Sequence, residues 1–178
     1  MKSHLVAIIL TFENKFNNKI FNTWKILDEK YNIRYLSAHS PKPHLTLISG
    51  QIKNKERLVE KLNKIKIHRF RLRKIGLGIF ANREPLLYLR WENSNILSKI
   101  QKKIRIKLKK FFFKNLNNQR IWIPKTSIAY KDFNYKKMDK ILENLNYFNK
   151  KEHILVRKIE VLEINKKKGE KIIYSKSL

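Results

Sequence analysis

Pro43-His44-Leu45-Thr46-Leu47 and, far downstream, Trp122-Ile123-Pro124-Lys125-Thr126-Ser127-Ile128-Ala129-Tyr130 are the stretches that decide the fold. Both read as strands that start at a proline. Side chains alternate faces along a strand. In the first stretch His44 and Thr46 therefore share one face, and Leu45 and Leu47 take the other. Aligned on proline, Lys125 falls where His44 falls, and Ser127 where Thr46 falls. Lys125 and Ser127 share a face; Thr126 and Ile128 take the opposite one. An imidazole moves a proton near neutral pH, and a hydroxyl beside it can hold a phosphoryl oxygen. A lone His-X-Thr is commonly just a polar strand face, so the pairing of the two stretches carries the weight.

Outward from these stretches the chain alternates strands and helices. Leu5 to Thr11 reads as a strand, and Phe16 to Tyr31 as a helix with Phe16, Ile20, Trp24, Leu27 and Tyr31 on one stripe. Ser37 to Pro43 reads as a loop, and His44 to Ile48 as a strand stopped by Ser49-Gly50. Lys55 to Ile65 is a helix. Ile67 to Phe80 is a long strand with a bulge or bend at Gly76 and Gly78, and Leu86 to Trp91 is its hairpin partner across a turn at Asn82 to Pro85. Ile96 to Phe113 is an amphipathic helix, apolar at Ile96, Ile100, Ile104 and Leu108. Ile121 to Tyr130 is a strand and Lys136 to Tyr147 a helix. His153 to Ile164 and Ile172 to Ser175 form a closing hairpin, turning at Lys167-Lys168-Gly169-Glu170. No linker or composition break divides the chain. The order implies one α+β domain over residues 1–178, with largely antiparallel sheets covered by helices.

The paired motifs resemble those of the 2H phosphoesterase superfamily, the RNA ligase-like 2',5'- and cyclic phosphodiesterases. Pro43-His44-X-Thr46 matches the first motif, and Trp122-X-Pro124-Lys125-X-Ser127-X-Ala129-Tyr130 the second. Leu5 to Leu10, Gly76 to Phe80 and Leu86 to Leu89 resemble the segments before and between them, so the likeness runs over nearly the whole chain. It implies a two-lobed, pseudo-symmetric fold with antiparallel sheets flanked by helices and a central cleft, one motif strand coming from each lobe. It also implies chemistry without metal or cofactor: one histidine as base, one as acid, and two hydroxyls on the phosphate. The implied substrates are RNA 2',3'-cyclic phosphates and 2'-5' linkages.

Lys125 departs from that pattern, because the resemblance calls for histidine there. A free lysine has a pKa of about 10.4 against about 6.5 for histidine. A charged lysine cannot serve as the base. It can stabilise a pentacovalent phosphorane, and it can give up a proton if burial and neighbouring cations lower its pKa. Loss of one acid–base group costs about 10²- to 10⁴-fold. Two functions follow: a metal-independent phosphodiesterase, slowed by the exchange, in which His44, Thr46, Lys125 and Ser127 are catalytic; or a non-catalytic RNA-binding protein that keeps the cleft. A register slip putting Thr126 in the hydroxyl role would turn Ile128 outward and is disfavoured.

The composition bears on partners. Of 178 residues 42% are apolar, enough for a core, and the net charge is +28. One source of that charge is an RNA partner; another is an A- and T-rich genome, whose codons inflate Lys, Asn and Ile together. Arg69, Arg71 and Arg73 alternate on one strand face, either gripping a phosphate backbone or lining a solvated face. Tyr130 either stacks a base or packs in the core, and His39, just before the first motif, can reach the cleft. Lys99, Lys102, Lys103, Lys107, Lys110 and Lys114 line the polar side of the long helix. There is no cysteine, which excludes a disulfide scaffold, a thiolate metal site and a cysteine nucleophile. Met1 to Phe12 imitates a signal peptide but lacks a small-residue cleavage site. No segment approaches membrane-spanning length. The expectation is a cytoplasmic monomer acting on RNA or cyclic nucleotides.

Overall fold

The computed structural model describes residues 3–81, 84–115, 122–132, 136, 138–165 and 169–178. Its strands are β1 (His4–Phe12), β2 (Leu45–Ile52), β3 (Phe70–Phe80), β4 (Leu86–Trp91), β5 (Phe112–Asn115), β6 (Lys125–Tyr130), β7 (Glu152–Asn165) and β8 (Gly169–Ser177). Its helices are α1 (Asn14–Tyr31), α2 (Tyr35–His39), α3 (Lys55–Asn63), α4 (Asn95–Leu108) and α5 (Met138–Asn144). The strands form one sheet in the order β5-β2-β1-β7-β3-β4-β6, with β8 paired to β7. Every pairing described is antiparallel.

The centre of that order reads the same from both ends. β2-β1-β7 mirrors β6-β4-β3, and each motif strand lies outside the first strand of its half. In chain order each half runs strand, helix, motif strand, helix, strand. The third strands are exchanged: β3 pairs with β4 of the second half, and β7 with β1 of the first. β7 is the seam. Its start pairs with β3 through Val156, and Val156 to Glu163 pairs with β1.

Alternation sorts the core. Val6, Ile8 and Leu10 of β1 enter the main core with Phe16, Ile20, Trp24 and Leu27 of α1; burying each such side chain contributes roughly 1.5–3 kcal/mol. Ala7 and Ile9 face the other way and pack with Leu162. Local chemistry sets the helix ends. The side chains of Asn54 and Ser94 accept from the backbone N–H groups of Arg57 (2.8 Å) and Leu97 (3.3 Å), starting α3 and α4. Asn32 closes α1 in the left-handed region (φ 58°).

Several expectations need correction. Ser49-Gly50 does not stop β2, because Gly50 is paired on both sides, to Val6 and to Asn115. The stretch read as loop opens with α2. The long helix ends at Leu108. A 3-10 turn (Lys109–Phe111) follows, and then β5, where Phe112 pairs with Ile52. Ile96 is 56% exposed, and Leu97 takes the core position at the start of α4. The last helix is shorter than its periodicity suggested, breaking into a 3-10 turn at Asn146–Phe148. The bend in β3 is present: its register with β4 shifts between Lys74 and Gly76, where φ is 131°. Residues 82–83 of one expected turn and 167–168 of the other lie outside the described residues.

Candidate active site

The first motif strand is led by Pro43, buried, with His44 half-buried beside it. Nδ1 of His44 lies 3.0 Å from the carbonyl of Lys42. A carbonyl only accepts, so Nδ1 carries a proton, and in the neutral ring Nε2 is the nitrogen left with the lone pair. Beyond His44, Thr46 faces the cleft and Leu45 and Leu47 the core. Ile8 then pairs with Ile48 but Ile9 with Thr46, which leaves Leu47 as an extra residue in a bulge. The bulge resets the alternation and brings Ser49 onto the Thr46 face.

On β6 the alternation holds from Lys125 to Ile128; there Leu87 pairs with Ala129 but Tyr88 with Ser127, which leaves Ile128 as an extra residue in a bulge. Thr126 and Ile128 are 1% exposed, and Lys125 and Ser127 are half-buried. The Thr126 hydroxyl accepts from the Trp91 indole (2.9 Å) inside the core, which disposes of the slipped register. Burial pushes the Lys125 pKa down. Its Nζ lies 5.9 Å from the centre of the Phe80 ring, and no carboxylate pairs with it among the described residues.

The two motifs meet. His44, Thr46, Lys125 and Ser127 line one cleft of about 200 Å³. Ser49, Trp122 and Glu170 line it as well, with Ala7 and Leu162 as an apolar floor. The Trp122 indole donates to the Thr46 carbonyl (3.1 Å), tying one motif to the other. Among the described residues neither the hydroxyls of Thr46, Ser49 and Ser127 nor the Lys125 ammonium has a hydrogen-bond partner. A cleft that presents three free hydroxyls, one free ammonium and an imidazole nitrogen is built to receive an anion with several oxygens. A smaller recess of about 130 Å³ shares His44, Ser127 and Glu170 and adds Trp24, Tyr35 and Tyr130.

The other residues singled out in the sequence are spread around this cleft. Tyr130 lines the recess edge-on to Tyr35 (5.4 Å), and its hydroxyl donates to Glu84 (2.9 Å). Burial, then the Glu84 carboxylate, pushes that phenol up to about 12. His39 is exposed, stacks on Tyr35 and uses Nδ1 on the Tyr35 carbonyl; it does not line the cleft. Arg71 and Arg73 turn to the His153 carbonyl (3.3 Å) and to Glu92 (3.4 Å), away from the cleft. Arg69 precedes β3 and bonds the Leu178 carbonyl (2.7 Å). Sequence reasoning missed Ser49, because a bulge leaves no signature here, and Glu170, which sits on the final hairpin. Trp122 was in the motif, but its bond to Thr46 was not foreseeable. Among the described residues no group of three or more His, Asp or Glu is placed to hold a metal. No described helix is long and apolar enough to cross a membrane.

No protein-family model matches the chain, and no curated protein does. Solved structures do. E. coli LigT in apo form matches with a TM-score of 0.64 and 11% identity over 100% of this chain and 99% of that one. E. coli LigT complexed with 3'-AMP matches with 0.61 and 13%, over 99% of each chain. A phosphoesterase crystal structure matches with 0.60 and 12%, again over 99% of each. With its motif strands facing each other across one cleft and these matches running end to end, the chain has the fold of the 2H phosphoesterases.

Proposed function

We propose that the protein is a metal-independent phosphoesterase acting on 2',3'-cyclic phosphate or 2'-5' phosphodiester groups of RNA. One observation carries the proposal. His44, Thr46, Ser127 and Lys125 line one small cleft, and the two hydroxyls and the ammonium lack hydrogen-bond partners among the described residues. E. coli LigT, which shares this fold, forms a complex with 3'-AMP, a nucleoside phosphate, and that supports a phosphate ligand for this chain.

The residues suggest a balanced reaction. Water loses a proton to Nε2 of His44 and forms a bond to phosphorus. Thr46 and Ser127 hold the non-bridging oxygens, while Lys125 offsets the charge that builds on the phosphorane. The bond from phosphorus to a ribose oxygen then breaks, and that oxygen takes a proton from Nζ of Lys125. The products are a phosphomonoester and a free hydroxyl, and solvent returns both side chains to their starting states. A lysine whose pKa burial has lowered gives up its proton more readily than a free one.

Lys125 itself favours a second reading, a cleft that binds RNA ends without turnover. The test is purified protein with 2',3'-cyclic nucleotides and 2'-5' linked oligonucleotides, in chelator, with products separated by chromatography. Chelator-resistant formation of nucleoside monophosphate supports the enzyme. Saturable binding without product supports the second reading.

A further inference from the structure

The sheet face that floors the cleft does not end there. Ala7 and Leu162 lie in the cleft; next along β1 and β7 come Ile9 paired with Glu160, then Thr11 paired with Lys158. Lys158 is four residues from Leu162, about 13 Å along the strand. Between the two positions sits Glu160, 1% exposed, bonded by Ser175 (2.7 Å) and Lys42 (3.3 Å). Past Glu160 a second cavity opens, of about 370 Å³.

Four cations line it: Lys42, Arg69, Arg157 and Lys158. The register explains two of them. Thr11 pairs with Lys158 but Phe12 with Val156, so Arg157 is an extra residue in a bulge, and two consecutive cations reach one cavity. Arg69 is held by its bond to the Leu178 carbonyl. Lys42 touches both places: its carbonyl fixes the His44 imidazole, its ammonium pairs with Glu160, and the residue lines the second cavity. Among the described residues no carboxylate lines the cavity, unlike the basic groove beside α3, which contains Glu60. Arg157 and Lys158 have no ion-pair partner among the described residues. Thr11 is 2% exposed, lines the cavity and makes no side-chain hydrogen bond among the described residues.

We infer that this cavity binds a backbone phosphate of a single-stranded polynucleotide whose terminal phosphate occupies the cleft. The inference rests on the proposed function for what the cleft holds. The protein then engages the end of a strand more tightly than a mononucleotide, because a second phosphate meets unpaired cations on the same face.

The test compares a fluorescent RNA octamer ending in 2',3'-cyclic phosphate with 2',3'-cyclic AMP. Arg157→Gln/Lys158→Gln changes two exposed side chains outside the cleft. Lys99→Gln/Lys102→Gln on α4 makes the same charge change elsewhere. The first variant should bind the octamer about tenfold more weakly than the second. Its slope of log affinity against log salt should be shallower by roughly 0.7, the release expected for one single-strand phosphate contact. Binding of cyclic AMP should be equal in both. Equal octamer affinity in the two variants overturns the inference, as does an equal loss on cyclic AMP. If octamer binding follows the prediction but nothing is hydrolysed, the enzyme reading fails and the second site stands.

Discussion

A lysine at position 125 brings its charge into a cleft that Glu170 also lines, without an ion pair to any carboxylate among the described residues, and burial lowers its pKa. If the ammonium is the form that stabilises the phosphorane, turnover should fall on the alkaline side at a pH below the roughly 10.4 of a free lysine. Lys125→Arg keeps its charge at any accessible pH but cannot protonate the leaving oxygen, so it should lower turnover by about 10²- to 10⁴-fold and abolish that alkaline limb, which a pH–rate profile reads directly. Lys125→His restores the paired-histidine pattern and should raise cyclic-phosphate hydrolysis by about 10²-fold. The second buried lysine makes a separate prediction. Lys74 is 0% exposed, its Nζ has no hydrogen-bond partner among the described residues, and it pairs with Glu152 at 3.7 Å. Burial, with Lys19 nearby, lowers its pKa in the folded protein. The unfolded chain therefore binds more protons between the folded pKa and about 10.4, and stability rises with pH across that window. Lys74→Met should remove the slope and stabilise the protein at neutral pH by about 1 kcal/mol or more, measured by urea unfolding.

Two strands and one indole bring the motifs together. Trp122 bonds Thr46 across the cleft, so Trp122→Phe, which keeps a ring but loses the N–H, should cost about 1 kcal/mol of stability. It should also reduce turnover several-fold by loosening the spacing of the motif strands; equal kcat in the variant would limit the indole to packing. At this scale the alternation of β2 and β6 was readable, since Leu45 against Thr46 and Thr126 against Ser127 obey a period of two. The hairpin strand Leu86–Trp91 was readable for the same reason, with turn residues ahead of it. What escaped depended on partners distant in the chain. Phe112 reads as the end of a helix until Ile52 offers it a ladder. Ser49 reads as a strand end until the bulge at Leu47 turns it into the cleft. The row Arg69, Arg71, Arg73 reads as one face, yet tertiary contacts send Arg69 to Leu178 and Arg73 to Glu92.

Across the whole molecule the exchange of β3 and β7 interlocks the two halves. β7 is contributed by the second half but pairs with β1 of the first, so neither half can complete its sheet alone. Fragments 1–82 and 83–178 should each lack stable structure by circular dichroism and regain it on mixing, and the intact chain should unfold in one transition. A half that folds by itself would contradict the interlock. The internal symmetry is legible in the paired Pro-led motifs, whereas the exchange, which fixes how the lobes face each other, has no signal in the sequence. That facing is what sets His44 opposite Lys125, and with it the central claim that the cleft hydrolyses a phosphoester. The direct measurement is release of nucleoside monophosphate from 2',3'-cyclic AMP, in chelator, by the intact protein and by His44→Ala. The account predicts steady turnover by the first and a loss of about 10²- to 10⁴-fold in the second. No turnover by the intact protein, or equal turnover by both, would contradict it.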